Sequence, residues 1–109
     1  MDWTEARDRS LDQWRTILSS IGRLDPNEIV VWTHSAYGLC EKAEELAREQ
    51  GQTTGSVCRL CLAWQRQGGC LEARERLEAA LLSGDPDRAR EIVRGMIADL
   101  EALEVAGVK

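Results

Sequence analysis

From Asp85 to Leu103 the chain carries its most constraining signal. A proline follows an aspartate at residue 86, and Ala89, Ile92, Val93, Met96, Ile97, Leu100 and Leu103 then recur at three-four spacing over about five turns. A helix puts these residues on one face, and that face must be buried against a partner surface along its whole length.

The same grammar runs through the remaining sequence. Asp2 and Glu5 form a helix-start pattern, and Leu11, Trp14, Ile17, Leu18 and Ile21 define a helix over roughly residues 3 to 21 that Gly22 ends. Asp25-Pro26-Asn27-Glu28 opens a second, short helix, although the Ile29-Val30-Val31-Trp32 that follows is β-branched and apolar. Ala36, Leu39, Cys40, Ala43, Leu46 and Ala47 form another stripe, with Gly51 as its stop and Cys40 facing inward. A polar loop, Gln52-Thr53-Thr54-Gly55, leads to Ser56, which can cap a helix carrying Val57, Leu60, Cys61 and Trp64 on one face until Gly68-Gly69 breaks it. Cys70 opens the next helix, with Leu71, Leu77, Leu81 and Leu82 apolar, and Ser83-Gly84 closes it.

No run alternates as a half-buried strand would. Short connections between successive amphipathic helices favour antiparallel neighbours, so the expected fold is all-α, a small antiparallel bundle of four long helices plus one short helix. A length of 109 residues suffices for one core, so residues 1–109 are expected to form a single helical domain.

Composition narrows the function. A net charge of -5 repels a phosphate backbone, so nucleic acid is not an expected partner. Met1-Asp2-Trp3-Thr4-Glu5 lacks the basic start of a secretory signal, and no apolar run reaches the roughly 18 residues of a membrane span, which points to the cytoplasm without a membrane. Gly-x-Gly-x-x-Gly, Walker, Gly-x-Ser-x-Gly and His-Glu-x-x-His signatures are absent, as is any carboxylate pair with a histidine, so a conventional enzyme is not expected.

In a compartment that keeps thiols reduced, the cysteines are the most informative residues. Cys40, Cys58, Cys61 and Cys70 follow the pattern C-x17-C-x2-C-x8-C with none left over. The Cys58 and Cys61 sulfurs, three residues apart in a first helical turn, can reach one ion, and four thiolates close a tetrahedral site. Cys58 and Cys70 fall at expected helix N-termini, where the helix dipole favours thiolate. From Ser56 to Arg76, Arg59, Arg66, Arg74 and Arg76 outnumber Glu72 and Glu75, a local positive excess suited to an anionic centre.

One doublet with two singletons is an arrangement more familiar for a [4Fe–4S] cluster than for zinc, whose sites usually combine two doublets. The first expectation is therefore a [4Fe–4S] protein with Cys40, Cys58, Cys61 and Cys70 as ligands, serving electron transfer, sensing or structure, and working with a protein partner. The alternatives are a zinc-stabilised helical adaptor, a metal-free C-x-x-C thiol switch, and cysteines that merely fill the core as small apolar residues.

From Cys40 to Cys70 the order of one cysteine, a C-x-x-C and one more is similar to the WhiB-like iron–sulfur regulators. That resemblance implies a cluster on the four cysteines. The last gap is longer than in that family, and its Gly-Trp-Gly-Gly type turn and basic tail are missing, so no transcriptional role is inferred.

Several other residues have ordinary readings. His34, the only histidine, could replace a cysteine as ligand but is read as a surface or cap residue. Trp3, Trp14, Trp32 and Trp64 serve as core fillers in a chain without phenylalanine, with Trp64 placed to shield a cluster. Glu41, Glu44, Glu45 and Glu49 make an acidic face on the Cys40 helix, a solvated side on which a basic protein could dock.

Overall fold

A computed structural model describes residues 1–34, 37–51, 57–67 and 70–105. The order of elements is α1 (Trp3–Ser20), α2 (Pro26–Thr33), α3 (Gly38–Glu49), a 3₁₀ turn (Val57–Leu60), α4 (Leu62–Gln67), α5 (Leu71–Leu82) and α6 (Pro86–Ala102), with no strand among the described residues. The protein is all-α, and its four long helices are α1, α3, α5 and α6. Helix α1 packs on both α3 and α6, α5 packs on α6 and α2, and the 3₁₀ turn lies against α3 and α4. Only residues 83–85 join α5 to α6, which is compatible with antiparallel neighbours.

Local chemistry fixes most of the ends. The Asp2 carboxylate accepts from the Glu5 N–H at 2.7 Å, that of Asp25 from Asn27 at 2.8 Å, and that of Asp85 from Arg88 at 3.1 Å, so the first turns of α1, α2 and α6 each satisfy an otherwise orphaned donor. Gly22 and Gly84 adopt positive φ just beyond α1 and α5, as helix exits require. The α6 stripe is buried throughout, including Leu103 just past the helix end. From α1 it meets Trp3, Ala6, Leu11, Trp14 and Ile17, and from α5 Leu77, Ala80 and Leu81, all in one core.

Helix α3 starts differently. Its N-cap, Tyr37, offers no side-chain bond. Instead Ser10 Oγ and Gln13 Oε1 on α1 each accept at 2.9 Å, from the N–H groups of Leu39 and Gly38. The backbones approach so closely that a Cβ on Gly38 would collide with the Ala6 carbonyl oxygen and come within 2.7 Å of the Arg9 Cβ. Glycine is therefore required at residue 38 for contact rather than for conformational freedom.

Three local expectations are revised. Residues 57–67 are not one continuous helix. The Cys61 N–H donates to the Cys58 carbonyl at 3.0 Å, an i to i+3 bond that tightens the chain into a 3₁₀ turn, and the Cys61 carbonyl then accepts the first α4 bond, from Gln65 at 3.1 Å. Leu71 and Leu82 are exposed, because the buried face of α5 follows Leu77, Ala80 and Leu81, and a step of one residue turns a side chain by about 100°. Val31 and Trp32 are also exposed on α2, which buries Ile29 and Thr33 instead. The loop Gln52-Thr53-Thr54-Gly55, the Ser56 cap, the Gly68-Gly69 break and Ala36 lie outside the described residues.

The steric argument predicts opposite signs at two helical glycines. Gly38→Ala should lower unfolding stability by about 1–3 kcal/mol, since the overpacking exceeds the helix-propensity gain. In the α6 interior a Cβ on Gly95 meets nothing within 4 Å, so Gly95→Ala should raise stability by about 0.5–1 kcal/mol. Urea midpoints of the two variants measure both effects.

Candidate metal centre

The Gly38 contact with α1 fixes the start of α3, and Cys40 follows in its first turn, half-buried. Cys58 belongs to the 3₁₀ turn that packs on α3, Cys61 follows it directly, and Cys70 is the N-cap of α5. All four are half-buried thiols, none of them in a disulfide. Cys40, Cys61 and Cys70 line one apolar cavity of about 20 Å³, together with Ser10, Trp14, Tyr37, Leu39, Ala63, Met96 and Leu100. Cys58 is near enough to Cys40 for their charges to interact. Residues widely separated in sequence are thus gathered at the junction of α1, α3, α5 and α6.

The gathering stops short of a finished coordination shell. Among the described residues no three His, Cys, Asp or Glu side chains are arranged to hold a metal ion. The cavity has about the room of one water molecule, so binding anything larger requires the sulfurs to turn or the 3₁₀ segment to shift. The donor chemistry fits a soft metal or an iron–sulfur cluster, because the walls carry sulfur and apolar carbon.

Electrostatics divides the four. Burial pushes the Cys40 thiol up from its ordinary value of 9.0, against the lowering by a backbone hydrogen bond at Tyr37 and by the Arg74 charge. Burial likewise raises Cys70, and the nearby Cys40 and Cys61 add to the rise, while Arg74 opposes it by charge and by a side-chain hydrogen bond. The helix N-terminus at Cys70 was expected to favour thiolate; desolvation outweighs it.

Arg74 and Tyr37 complete the site, and the cysteine spacing did not point to either. The Arg74 carbon Cζ lies 5.6 Å from the centre of the Tyr37 ring, and that ring stacks on Trp14 at 5.0 Å with 4° between planes. The Tyr37 hydroxyl donates to the Thr33 carbonyl at 3.3 Å, and burial raises its pKa strongly. The Nε of Arg74 is buried without a hydrogen-bond partner among the described residues. The available signal was positional: Arg74 lies four residues after Cys70, one helical turn along the same face.

The remaining candidates lie elsewhere. His34 Nε2 is 3.3 Å from a Glu78 carboxylate oxygen on the surface of the protein. Glu41 pairs with Arg9 at 3.0 Å and Glu45 with the N-terminal ammonium at 3.5 Å, so part of the acidic face ties α3 to α1. Trp3 and Trp14 are core residues and Trp32 is exposed, whereas the side chains of Trp64, Arg59 and Arg66 lie outside those described. No helix among the described residues is long and apolar enough to cross a membrane. No protein-family model, curated protein or solved structure matches this chain.

The raised thiols predict how the metal-free protein behaves. At pH 7 the thiolate fraction of Cys40 and Cys70 is below that of an ordinary thiol, so both should be alkylated by iodoacetamide more slowly than in the unfolded chain. Because the folded pKa values lie above the unfolded value of 9.0, their contribution to stability is fully present below pH 9 and is lost as pH rises through the folded values. Peptide-resolved alkylation rates and a melting series from pH 7 to 10.5 test both statements.

Proposed function

We propose that this protein is a small cytoplasmic metal-centre protein in which Cys40, Cys58, Cys61 and Cys70 hold a [4Fe–4S] cluster for electron transfer or sensing, in concert with a partner protein. The observation that carries the reading is the convergence of Cys40, Cys61 and Cys70 on one apolar cavity, with Cys58 interacting with Cys40. When bound, the cluster would supply one-electron chemistry. The protein's own residues supply the rest. Trp14, Leu39, Met96 and Leu100 keep water from the sulfurs, the α1–α3 contact holds Cys40 in place, and Arg74 sets a positive charge beside Cys40 and Cys70.

Burial gives the site its metal dependence. A lone thiolate is disfavoured at Cys40 and Cys70, and metal coordination restores the interactions lost with water. The same fact weighs against a metal-free switch, as does the position of Cys58 in a 3₁₀ turn, with Cys61 just after it, instead of the first turn of an α-helix.

A second reading, a zinc-stabilised adaptor, has one observation in its favour. A cavity of about 20 Å³ takes a single ion with less rearrangement than a four-iron cube.

Metal analysis and absorption of anaerobically purified protein separate the readings. The cluster predicts brown protein with a broad band near roughly 400 nm and about four irons per chain. Colourless protein with one zinc selects the adaptor, and protein without metal removes both. Cys58→Ser or Cys61→Ser should reduce metal content and melting temperature together, and Cys70→Ser should lose most of the metal. His34→Ala should keep full occupancy and an unchanged spectrum, because four cysteines fill four positions and the exposed His34 side chain pairs with Glu78.

A further inference from the structure

A second cavity, of about 270 Å³, lies between two helix corners, and Ile21, Leu24, Pro26, Ile29, Leu81 and Pro86 make its apolar wall. Backbone bonds close both corners, from the Leu24 N–H to the Ser20 carbonyl and from the Asp85 N–H to the Ala80 carbonyl, each at 3.0 Å. Arg90 of α6 ties down the first corner by donating through Nη2 to the Ile21 carbonyl at 3.3 Å. The cavity is therefore preformed. Of the large apolar side chains exposed among the described residues, Leu24, Val31, Trp32 and Leu82 lie on α2 or in the corners beside it, and only Leu71 lies elsewhere. An isolated exposed leucine needs no explanation, whereas several gathered around a preformed apolar cavity mark a place where a partner docks.

Size, charge and backbone chemistry say what fits. Small-molecule pockets run from about 300 Å³ upward, so this volume suits an apolar side chain of a docked segment better than a free ligand. At the rim and in the first turns of α2 and α6, Asp25, Glu28, Asp85 and Asp87 stand against Arg23 and Arg90, and the roughly half charge of each helix start leaves the balance negative. The helices here spend their backbone groups internally and offer no strand edge, so an entering segment must satisfy its own backbone, as a helix does. A second copy of this chain, with a net charge of -5, would set like charges face to face, and an anionic bilayer meets the same repulsion. We propose that this corner is a docking site for an amphipathic basic helix of a partner protein, which seats an apolar side chain among Leu24, Ile29 and Leu81 and sets Lys or Arg against Asp25, Glu28 and Asp85. The inference goes beyond the metal-centre reading, since the residues lining this cavity and those lining the cysteine cavity have no member in common.

The test is calorimetric titration of the full chain with two synthetic amphipathic helical peptides that share a leucine face, one with lysine and one with glutamate on its polar face. The lysine peptide should bind and the glutamate peptide should not, and added salt should weaken the binding. Leu24→Ser and Glu28→Lys should each weaken it about tenfold, because one removes an apolar anchor and the other reverses a charge. Leu71→Ser, at the far end of α5, should leave it unchanged. Leu24, Glu28 and Leu71 are exposed, so all three variants should melt close to the wild type. In the wild type, amide shifts caused by the lysine peptide should centre on residues 21–32 and 81–86, a readout that needs no variant. A lysine peptide that does not bind, equal binding of the two peptides, or equal affinity of all three variants overturns the proposal. Self-association abolished by Leu24→Ser also overturns it, because the corner would then seat a second copy, and so does uptake by anionic vesicles abolished by Leu24→Ser, which would make it a lipid surface.

Discussion

The contact between α1 and the first turn of α3 is the constraint on which the rest of the site depends. A helix start leaves several backbone N–H groups without intrahelical partners, and a start facing the core cannot leave them to water. Here Ser10 and Gln13 of α1 accept from Leu39 and Gly38, and the absence of a side chain at residue 38 lets the two backbones meet. Tyr37 and Cys40 flank that contact, one just before α3 and one in its first turn. Their positions are set by hydrogen bonds and steric fit, which vary little, rather than by a loop.

From Tyr37 the consequences spread inward. Its ring joins Trp14 of α1 to Arg74 of α5, so a stacked aromatic pair and a guanidinium tie the first and fifth helices across the cavity. Two opposing demands meet there. Burial disfavours charge on Cys40 and Cys70, whereas Arg74 favours it, and burial is the larger effect in the metal-free protein. Adding a soft cation reverses that balance, because the charge of the metal then acts directly on the sulfurs. A cavity lined with sulfur and apolar carbon, even with one adjacent arginine, is thus poor at holding bare thiolates.

Local sequence chemistry made most of the fold legible. The ends of α1, α2 and α6 follow from Asp2, Asp25 and Asp85, each of which bonds within the first turn that it opens, and the α6 stripe is buried as its spacing requires. What was not legible arose from contacts between elements. Nothing in the spacing of residues 57–67 distinguishes an α-helix from a 3₁₀ turn followed by α4, because Val57, Leu60, Cys61 and Trp64 suit either period. The cap of α3 is supplied by residues 25 and 29 positions upstream of the groups they bond, a pairing that no local pattern contains. Leu71 and Leu82 were read as apolar by residue type, yet the packing of α5 on α6 and α2 chose a face that excludes them. For the site, the four cysteines could be named from spacing alone, whereas the partners that set their electrostatics, Tyr37 and Arg74, required the tertiary arrangement.

The unequal anchoring of the four sulfurs bears on what the centre can accommodate. Cys40 is held by the α1–α3 contact, and Cys70 heads a twelve-residue helix that packs on α2 and α6. Cys58 and Cys61 instead ride on a four-residue 3₁₀ turn and the residue after it, supported by α3 and α4. Helical backbone bonds resist deformation cooperatively, while a single i to i+3 turn can move as a unit with little loss. Any widening of the cavity beyond about the volume of one water would therefore meet least resistance at the C-x-x-C segment. Arg74 lies one turn beyond Cys70, on the more firmly anchored side. The positive charge nearest Cys40 and Cys70 thus belongs to the more firmly held half of the cavity, and the C-x-x-C segment to the other.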